Sequence, residues 1–299
     1  MAKKKGMSLA EFNEKFGNEL ACEEYLLNLK KKEGLVCPKC CGVMFYYIGS
    51  RKIFQCAGCR HQVSLTSGTA MHKTHLPLQV WFLAIYLIAT DKRGCSASFL
   101  SKTLKVTYKT AWFLLHRIRH AMGERDSRYL LCGVVELDDT YYGGTKKGGK
   151  RGRGTDKIKF LVAVSKDEEG KPEYAKMSVV KDLKGITVGR FAKTCIKEGS
   201  VVESDAYRSY RKPLADHYFH QYEVFGADGE MLKWLHTIIG NVKAFIDGTY
   251  HGLGERYFQA YLDEFTYRLN RRNFHCGFFK NLLSAITYAS PLPLAVLKE

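Results

Sequence analysis

No apolar run in this 299-residue sequence is long enough to span a membrane; the longest, Val80–Ala89, is about half a span. The basic start, Met1-Ala-Lys-Lys-Lys, is not followed by an apolar stretch either. Residues 6–15 are polar and mixed, which excludes a secretory leader. These absences predict a soluble, cytoplasmic protein with no membrane partner. Acid is the third shortage: 30 Asp+Glu stand against 47 Lys+Arg, a formal net charge of +17. That excess points to a polyanionic partner, nucleic acid first. Core-forming material is not scarce. At 45% hydrophobic and 13% aromatic, the chain is excluded from wholesale disorder. Its length allows about two domains.

The charge is unevenly spread. Residues 1–130 carry 21 basic and 9 acidic side chains, residues 131–299 carry 26 and 21. The front is suited to a polyanion, while the back keeps many carboxylates inside a basic protein.

Ten cysteines could suggest a disulfide framework, but their spacing argues for metal. Cys37-Pro-Lys-Cys40 and Cys56-Ala-Gly-Cys59 are two C-x2-C pairs with 15 residues between them, the four-thiolate zinc spacing. The β-rich stretch between them reads as a hairpin, so 35–66 is expected to be a zinc ribbon holding one structural Zn2+. Cys41 reads as a spare, and Cys22, Cys95, Cys132, Cys195 and Cys276 as small buried residues.

Before the ribbon, 1–34 is read as a helical segment. Apolar residues recur at helical spacing over Ser8–Lys31, and Ser8 with Glu11 fits a capping box. After it, 67–128 reads as helical. Leu78–Thr90 is an apolar helix, then two shorter patterns flank a tight turn near Val106. The second, Thr107–Met122, is edged with Lys109, His116, Arg117, Arg119 and His120. This fits a helix-turn-helix with its second helix in the major groove. An αα-hairpin with a solvated basic face fits the same pattern; the charge of the front favours DNA.

Residues 129–299 carry the acids. Cys132–Tyr142 reads CGVVELDDTYY, whose alternation places Glu136 and Asp138 on one strand face and Leu137 and Asp139 on the other. Carboxylates on a central strand are costly unless a cation meets them. A glycine-rich loop with Lys146, Lys147, Lys150, Arg151 and Arg153 suits phosphate-backbone contact. A hairpin and a helix precede Ser200–Asp205, a short strand ending in a carboxylate. Glu255–Asn273 is a long helix with Tyr261, Glu264, Phe265, Arg268 and Arg272 on one side, where Glu264–Arg268 also fits a plain i, i+4 ion pair. One acid on a first strand, one on a later strand and one on a last helix is the order of a ribonuclease-H-like sheet with a two-metal site. The fold class expected is α/β: a ribonuclease-H-like catalytic domain, a mixed sheet with flanking helices, behind a helical, zinc-ribbon and helix-turn-helix DNA-binding region.

These blocks together resemble bacterial insertion-sequence transposases of the DDE type, the group of insertion-sequence family 1595. The resemblance rests on the four cysteines; on Thr69-Ala-Met-His72-Lys-Thr; on Val135-Glu-Leu-Asp138-Asp-Thr-Tyr141-Tyr-Gly-Gly144; on Glu203-Ser-Asp205; on Gly248-Thr-Tyr-His251; and on Tyr261-Leu-Asp-Glu264-Phe-Thr-Tyr-Arg268-Leu-Asn-Arg-Arg272. It implies an enzyme that binds inverted-repeat ends, cuts there and joins 3′ ends to target DNA, as a dimer or higher on double-stranded DNA. It implies Asp138, Asp205 and Glu264 as catalytic ligands of two Mg2+ or Mn2+ ions. Glu136 remains an alternative to Asp138, and Asp263 to Glu264. Where the family often has Asp-Glu, this chain has Asp138-Asp139. His236, Asn241 and Lys243 fall in a stretch resembling the family's His-Thr…Asn…Lys. Asn241, Lys243 and His251 are expected to meet DNA, and Arg268, Arg271 and Arg272 to meet phosphate or to orient Glu264. A zinc-ribbon regulator with an inactive catalytic domain, or a related nuclease without strand transfer, would share most of these features.

Overall fold

The computed structural model describes residues 6–144, 148, 155–224, 232–273 and 277–298. Helices α1 (Leu9–Phe16) and α2 (Glu19–Glu33) lead into strands β1 (Phe45–Ile48), β2 (Ile53–Cys56) and β3 (Gln62–Ser64), then α3 (Leu78–Thr90), α4 (Ala97–Leu104) and α5 (Tyr108–Asp126). Next come β4 (Val134–Tyr142), β5 (Ile158–Lys166), β6 (Pro172–Val180), α6 (Gly185–Cys195), β7 (Val201–Asp205), α7 (Arg208–Ala215) and β8 (Phe219–Glu223). Helices α8 (Lys233–Tyr250), α9 (Glu255–Asn270), α10 (Phe278–Tyr288) and α11 (Leu294–Lys298) complete the order.

The chain divides into two compact units: Met1–Ala121 with Phe274–Glu299, and Met122–Asn273. The sequence reading put 129–299 in one domain; instead the last 26 residues associate with the front. The cause is an aromatic cluster that local patterning does not reveal. Phe279 of α10 lies 5.5 Å from Phe16, 6.0 Å from Phe12 and 6.3 Å from Phe82, between ring centres.

In the first unit the helical pattern over 8–31 breaks into two helices at Gly17-Asn18. The Ser8/Glu11 capping box opens α1 as its sequence predicts. A Cβ at position 17 would stand 2.3 Å from the Asn13 carbonyl oxygen. Asn18 then caps α2 by accepting from the Ala21 N–H at 2.9 Å. Glu19 caps a different helix: its carboxylate accepts from the Leu78 and Gln79 N–H groups at 2.8 and 2.9 Å, an anion at the N-terminus of α3. In α3 Trp81, Phe82, Ile85 and Ile88 are buried, so the longest apolar run is core. None of the described helices is long and apolar enough to cross a membrane. Cys22 and Cys95 are buried as expected, whereas Cys132 is exposed.

Helices α4 and α5 form the expected pair about a three-residue turn, with Lys105 in the left-handed region at φ 53°. The sequence places Arg117 and Arg119 on a solvated edge of the second helix, and there the structure differs. They are 6% and 2% exposed, beside Ala111, Leu114, Leu115 and Ile118. A helix packed on most of its circumference takes its long basic side chains inside with it. Lys109 is exposed.

The second unit is a five-stranded sheet in the order β6-β5-β4-β7-β8. β4, β5 and β6 form an antiparallel meander, and β7 and β8 extend it in parallel on the other side of β4. This mixed topology is ribonuclease-H-like. Helices α6 and α7 cover one face over Val135, Leu137, Leu161 and Ala163, which pack with Val188, Phe191, Tyr210 and Leu214. Helices α8 and α9 cover the other over Phe160, Val162 and Val164, which pack with Leu235, Ile239, Val242, Phe258 and Leu262. The period-two alternation of β4 therefore sends successive side chains into different layers.

Candidate functional site

The ribbon brings its four cysteines together. Cys37 and Cys59 Sγ are 3.5 Å apart, Cys40 and Cys56 Sγ are also 3.5 Å apart, and all four sulfurs lie within 4.8 Å of one another. Each C-x2-C turn ends on a residue with left-handed backbone, Cys41 and Arg60, both at φ 58°. The Cys37 N–H donates to the Gly42 carbonyl and the Cys56 N–H to that of His61, which turns each pair inward. The apolar core beneath is small: Phe54, Val63 and Leu65 are its fully buried members. Four thiolates at tetrahedral spacing suit Zn2+, and so small a core needs such a staple.

The sheet assembles a second polar site on the face under α8. Glu136, Asp138, Thr140 and Tyr142 alternate along β4, and each meets that helix. Glu136 Oε2 accepts from the Leu235 N–H at 2.8 Å, and His236 Nε2 lies 3.4 Å from Asp138 Oδ2. Lys243 Nζ donates to Thr140 Oγ1 at 2.9 Å, and Tyr142 donates to Asp247 at 2.6 Å. From β7, Glu203 pairs in register with Glu136 and Ser204 with Leu137. The next residue on each strand is Asp205 and Asp138, so these two acids are neighbours. Lys166 bridges the lower pair, at 2.5 Å from Glu203 and 3.6 Å from Glu136. The Tyr207 N–H donates to Asp205 at 3.1 Å.

The electrostatics separate the two acid pairs. Burial pushes the Glu136 carboxyl up, while the Leu235 N–H and Lys166 oppose that push. Burial also raises Asp138; the His236 hydrogen bond opposes it, and the charges of Asp139 and Asp205 add to it. The same hydrogen bond raises the His236 imidazole, against a smaller effect of burial. Burial and the charge of Lys157 lower the Lys243 amine. Glu136 has a lysine partner in Lys166, whereas Asp138 has the His236 imidazole and carries the added charge of Asp205. That donor set fits a divalent cation at Asp138 and Asp205.

The Asp139 N–H donates to Asp138 Oδ1 at 2.7 Å, but the Asp139 carboxylate turns away from it. It points to the opposite layer, where the Tyr210 and Tyr141 hydroxyls donate to its two oxygens at 2.7 and 2.8 Å. Burial, then the charge of Asp139, raises the Tyr210 phenol, which keeps that donor protonated. Glu264 is 2% exposed. Its Oε1 accepts from Arg268 Nε and Nη2 at 3.0 and 2.8 Å, and its Oε2 from the Tyr250 hydroxyl at 3.1 Å. The i, i+4 ion pair is thus present, but buried rather than solvated. Asp263 accepts from Gln259 at 2.8 Å and presses on Gly123, where a Cβ would stand 2.6 Å from its Oδ2. Among the described residues the four thiols are the one group of three or more metal-competent side chains with all ligand atoms within 4.8 Å. Asp138, Asp205 and Glu264 do not close to that distance.

Of the residues expected to meet DNA, Asn241 and His251 are exposed and Lys243 is half-buried. The three arginines at and just after the C-terminal end of α9 have internal partners. Arg268 holds Glu264, and Arg271 pairs with Asp126 at 2.7 Å and stacks on Tyr267 at 3.6 Å. Arg272 donates to the carbonyls of Glu173 and Pro172. Lys146, Lys147, Lys150, Arg151 and Arg153 lie outside the described residues. Sequence reasoning missed the Lys166–Glu136–Glu203 cluster and the Asp139–Tyr210 contact. The alternation of β4 carried the signal for the second, by putting Asp139 on the face away from Asp138.

Two family models match the chain: an ISXO2-like transposase domain over residues 130–270 and a transposase zinc-ribbon domain over residues 17–62. A relative described as an uncharacterized protein in transposable element ISH50 of Halobacterium salinarum is 26% identical over 237 residues, covering 73% of this chain and 78% of that one. Among solved structures, the Mos1 strand transfer complex is 10% identical, with a TM-score of 0.29 over 71% of this chain and 78% of that chain. The Mos1 mariner paired end complex with Mn is 11% identical, with a TM-score of 0.28 over 70% and 80%. With its mixed sheet matching a transposase domain and its four-cysteine ribbon matching a transposase zinc ribbon, the chain is similar to the transposases of insertion-sequence family 1595.

Proposed function

We propose that this protein is a transposase that binds the inverted-repeat ends of an insertion sequence, cleaves DNA there and joins the 3′ ends to target DNA, as a dimer or higher on paired ends. The observation that carries the reading is the placement of Asp138 and Asp205 side by side on parallel strands, on the sheet face that α8 covers with His236 and Lys243. Asp138 and Asp205 would hold the catalytic metal, Mg2+ or Mn2+, with Glu264 as the third acid of the set. Bound there, the metal supplies activation of an attacking oxygen and stabilisation of the leaving oxygen in an in-line phosphoryl displacement.

The chain's own residues prepare that site. His236 fixes the orientation of Asp138. The Glu136–Lys166–Glu203 cluster anchors the first turn of α8, and with it the position of His236. Lys243, tied to Thr140, stands on the same face as a cation for the phosphate backbone. Asn241 and His251 on α8 and at its end, and Lys109 on α5, add exposed polar groups for DNA, joined by the basic loop with Lys146, Lys147, Lys150, Arg151 and Arg153. Arg268 orients Glu264 rather than meeting phosphate directly.

The test is a strand-transfer assay with pre-cut repeat-end DNA, a supercoiled target plasmid and Mn2+. Joined products are expected. Cleavage of uncut ends with no joining would replace this reading with that of a nuclease, and binding alone with that of a regulator.

A further inference from the structure

The first unit contains an open cavity of about 550 Å3 between the segment after His72, helix α3 and the first half of α5. This lies within the roughly 300–1,000 Å3 usual for small-ligand sites. Trp81, Trp112 and Phe113 give it aromatic walls, and exposed Lys73 and Lys109 stand at its rim. Arg117 forms part of its floor, and among the described residues no Asp or Glu lines it.

Arg117 is the informative residue. Only 6% exposed, it donates through Nη2 to the His72 carbonyl, and its guanidinium lies 5.3 Å from the ring centres of both Trp81 and Phe113. Its Nε is buried with no hydrogen-bond partner. Burial pulls the guanidinium down to about 10. A buried cation with no carboxylate beside it is costly, and two ring faces offset part of that cost. An acceptor on a ring seated in the cavity, such as a base carbonyl, offsets more of it. Aromatic walls, meanwhile, select a flat ring. A nucleotide offers both, a base to stack and a phosphate to meet the rim lysines.

We propose that this cavity is a nucleotide site that takes one unstacked base of a DNA strand against Trp112 and Phe113, with the adjoining phosphate at Lys73 and Lys109. The inference rests on the DNA-acting reading above, but it is built entirely from residues of the first unit and uses none of the catalytic acids. It also gives a use to the His72-Lys-Thr segment, which the catalytic site leaves unexplained.

The chain has three tryptophans, and two of them line the cavity. In the full-length protein carrying Trp234→Phe, tryptophan emission therefore reports on it. The probes are a short oligothymidylate, the same backbone with abasic sites, and inorganic phosphate. The base-bearing strand is expected to quench emission and to bind roughly tenfold or more tighter than the abasic one. Trp112→Ala should erase that difference, Trp112→Phe should keep most of it, and Lys109→Glu should weaken both strands together. Equal affinity for the two strands, or no quenching by the base-bearing one, overturns the proposal. That comparison needs no cavity variant, so it decides the matter even if Trp112→Ala fails to fold. Equal affinities with DNA cleavage intact remove the cavity reading alone; quenching with no cleavage removes the catalytic reading alone.

Discussion

In the zinc ribbon, four ligands stand on two short turns and approach one another to 3.5 Å, with few other partners to hold them. On the sheet, Asp138 and Asp205 stand on neighbouring strands and Glu264 on a distant helix, each already held by the protein: by His236, by the Tyr207 N–H, and by Arg268 with Tyr250. The difference teaches which site depends on its metal for folding. A local site over a three-residue core needs the ion to exist. On the proposed reading, a site built across a five-stranded sheet would exist first and recruit its ion for chemistry.

The sharpest break between the two is metal removal. Stripping zinc from the reduced protein should unfold 35–66, since structural zinc contributes apparent binding energies of about 10–16 kcal/mol. Hydrogen exchange should show that loss in the ribbon, while β4–β7 stays protected whether or not Mg2+ is present. A ribbon that remains protected without metal would erase the comparison.

The next largest effect is on activity. Asp205→Asn should lower cleavage on the order of 100-fold or more with little change in melting temperature, because Asp205 is only partly buried. Glu264→Gln should behave differently. It leaves Arg268 buried without its partner, at a cost of roughly 3–5 kcal/mol, read as a lower urea midpoint. If Glu264→Gln removes activity and leaves stability untouched, its bond to Arg268 is incidental and its role is that of the other two acids. The smallest effect is expected at Tyr210→Phe. The loss of a buried donor to Asp139 should cost about 1–3 kcal/mol with cleavage largely retained, because Asp139 faces away from the metal side of the sheet.

The ribbon was fully legible because its information is local: two pairs, one spacing, one hairpin. The facing of Glu136 and Asp138 was legible for a similar reason, since a period of two needs no tertiary knowledge. Long-range packing was not. Nothing near Phe279 announces that it joins Phe12 and Phe82. Arg117 and Arg119 read as surface charges because residue type predicts exposure on average, and the burial of α5 overrides that average. The apolar spacing continues across Gly17 and hides the break there, although the neighbouring Asn18 is a good cap. At Glu264 both readings of the sequence held something: the ion pair is real, and the family motif still places an acid there.

The most direct test of the central claim is Mg2+-dependent cleavage of repeat-end DNA by the wild-type chain beside Asp138→Asn and Asp205→Asn, with DNA binding measured in parallel. The account predicts metal-dependent cleavage by the wild type, and unchanged binding without cleavage in both variants. Cleavage that survives either substitution, or a wild type that binds ends and never cuts them, would contradict it.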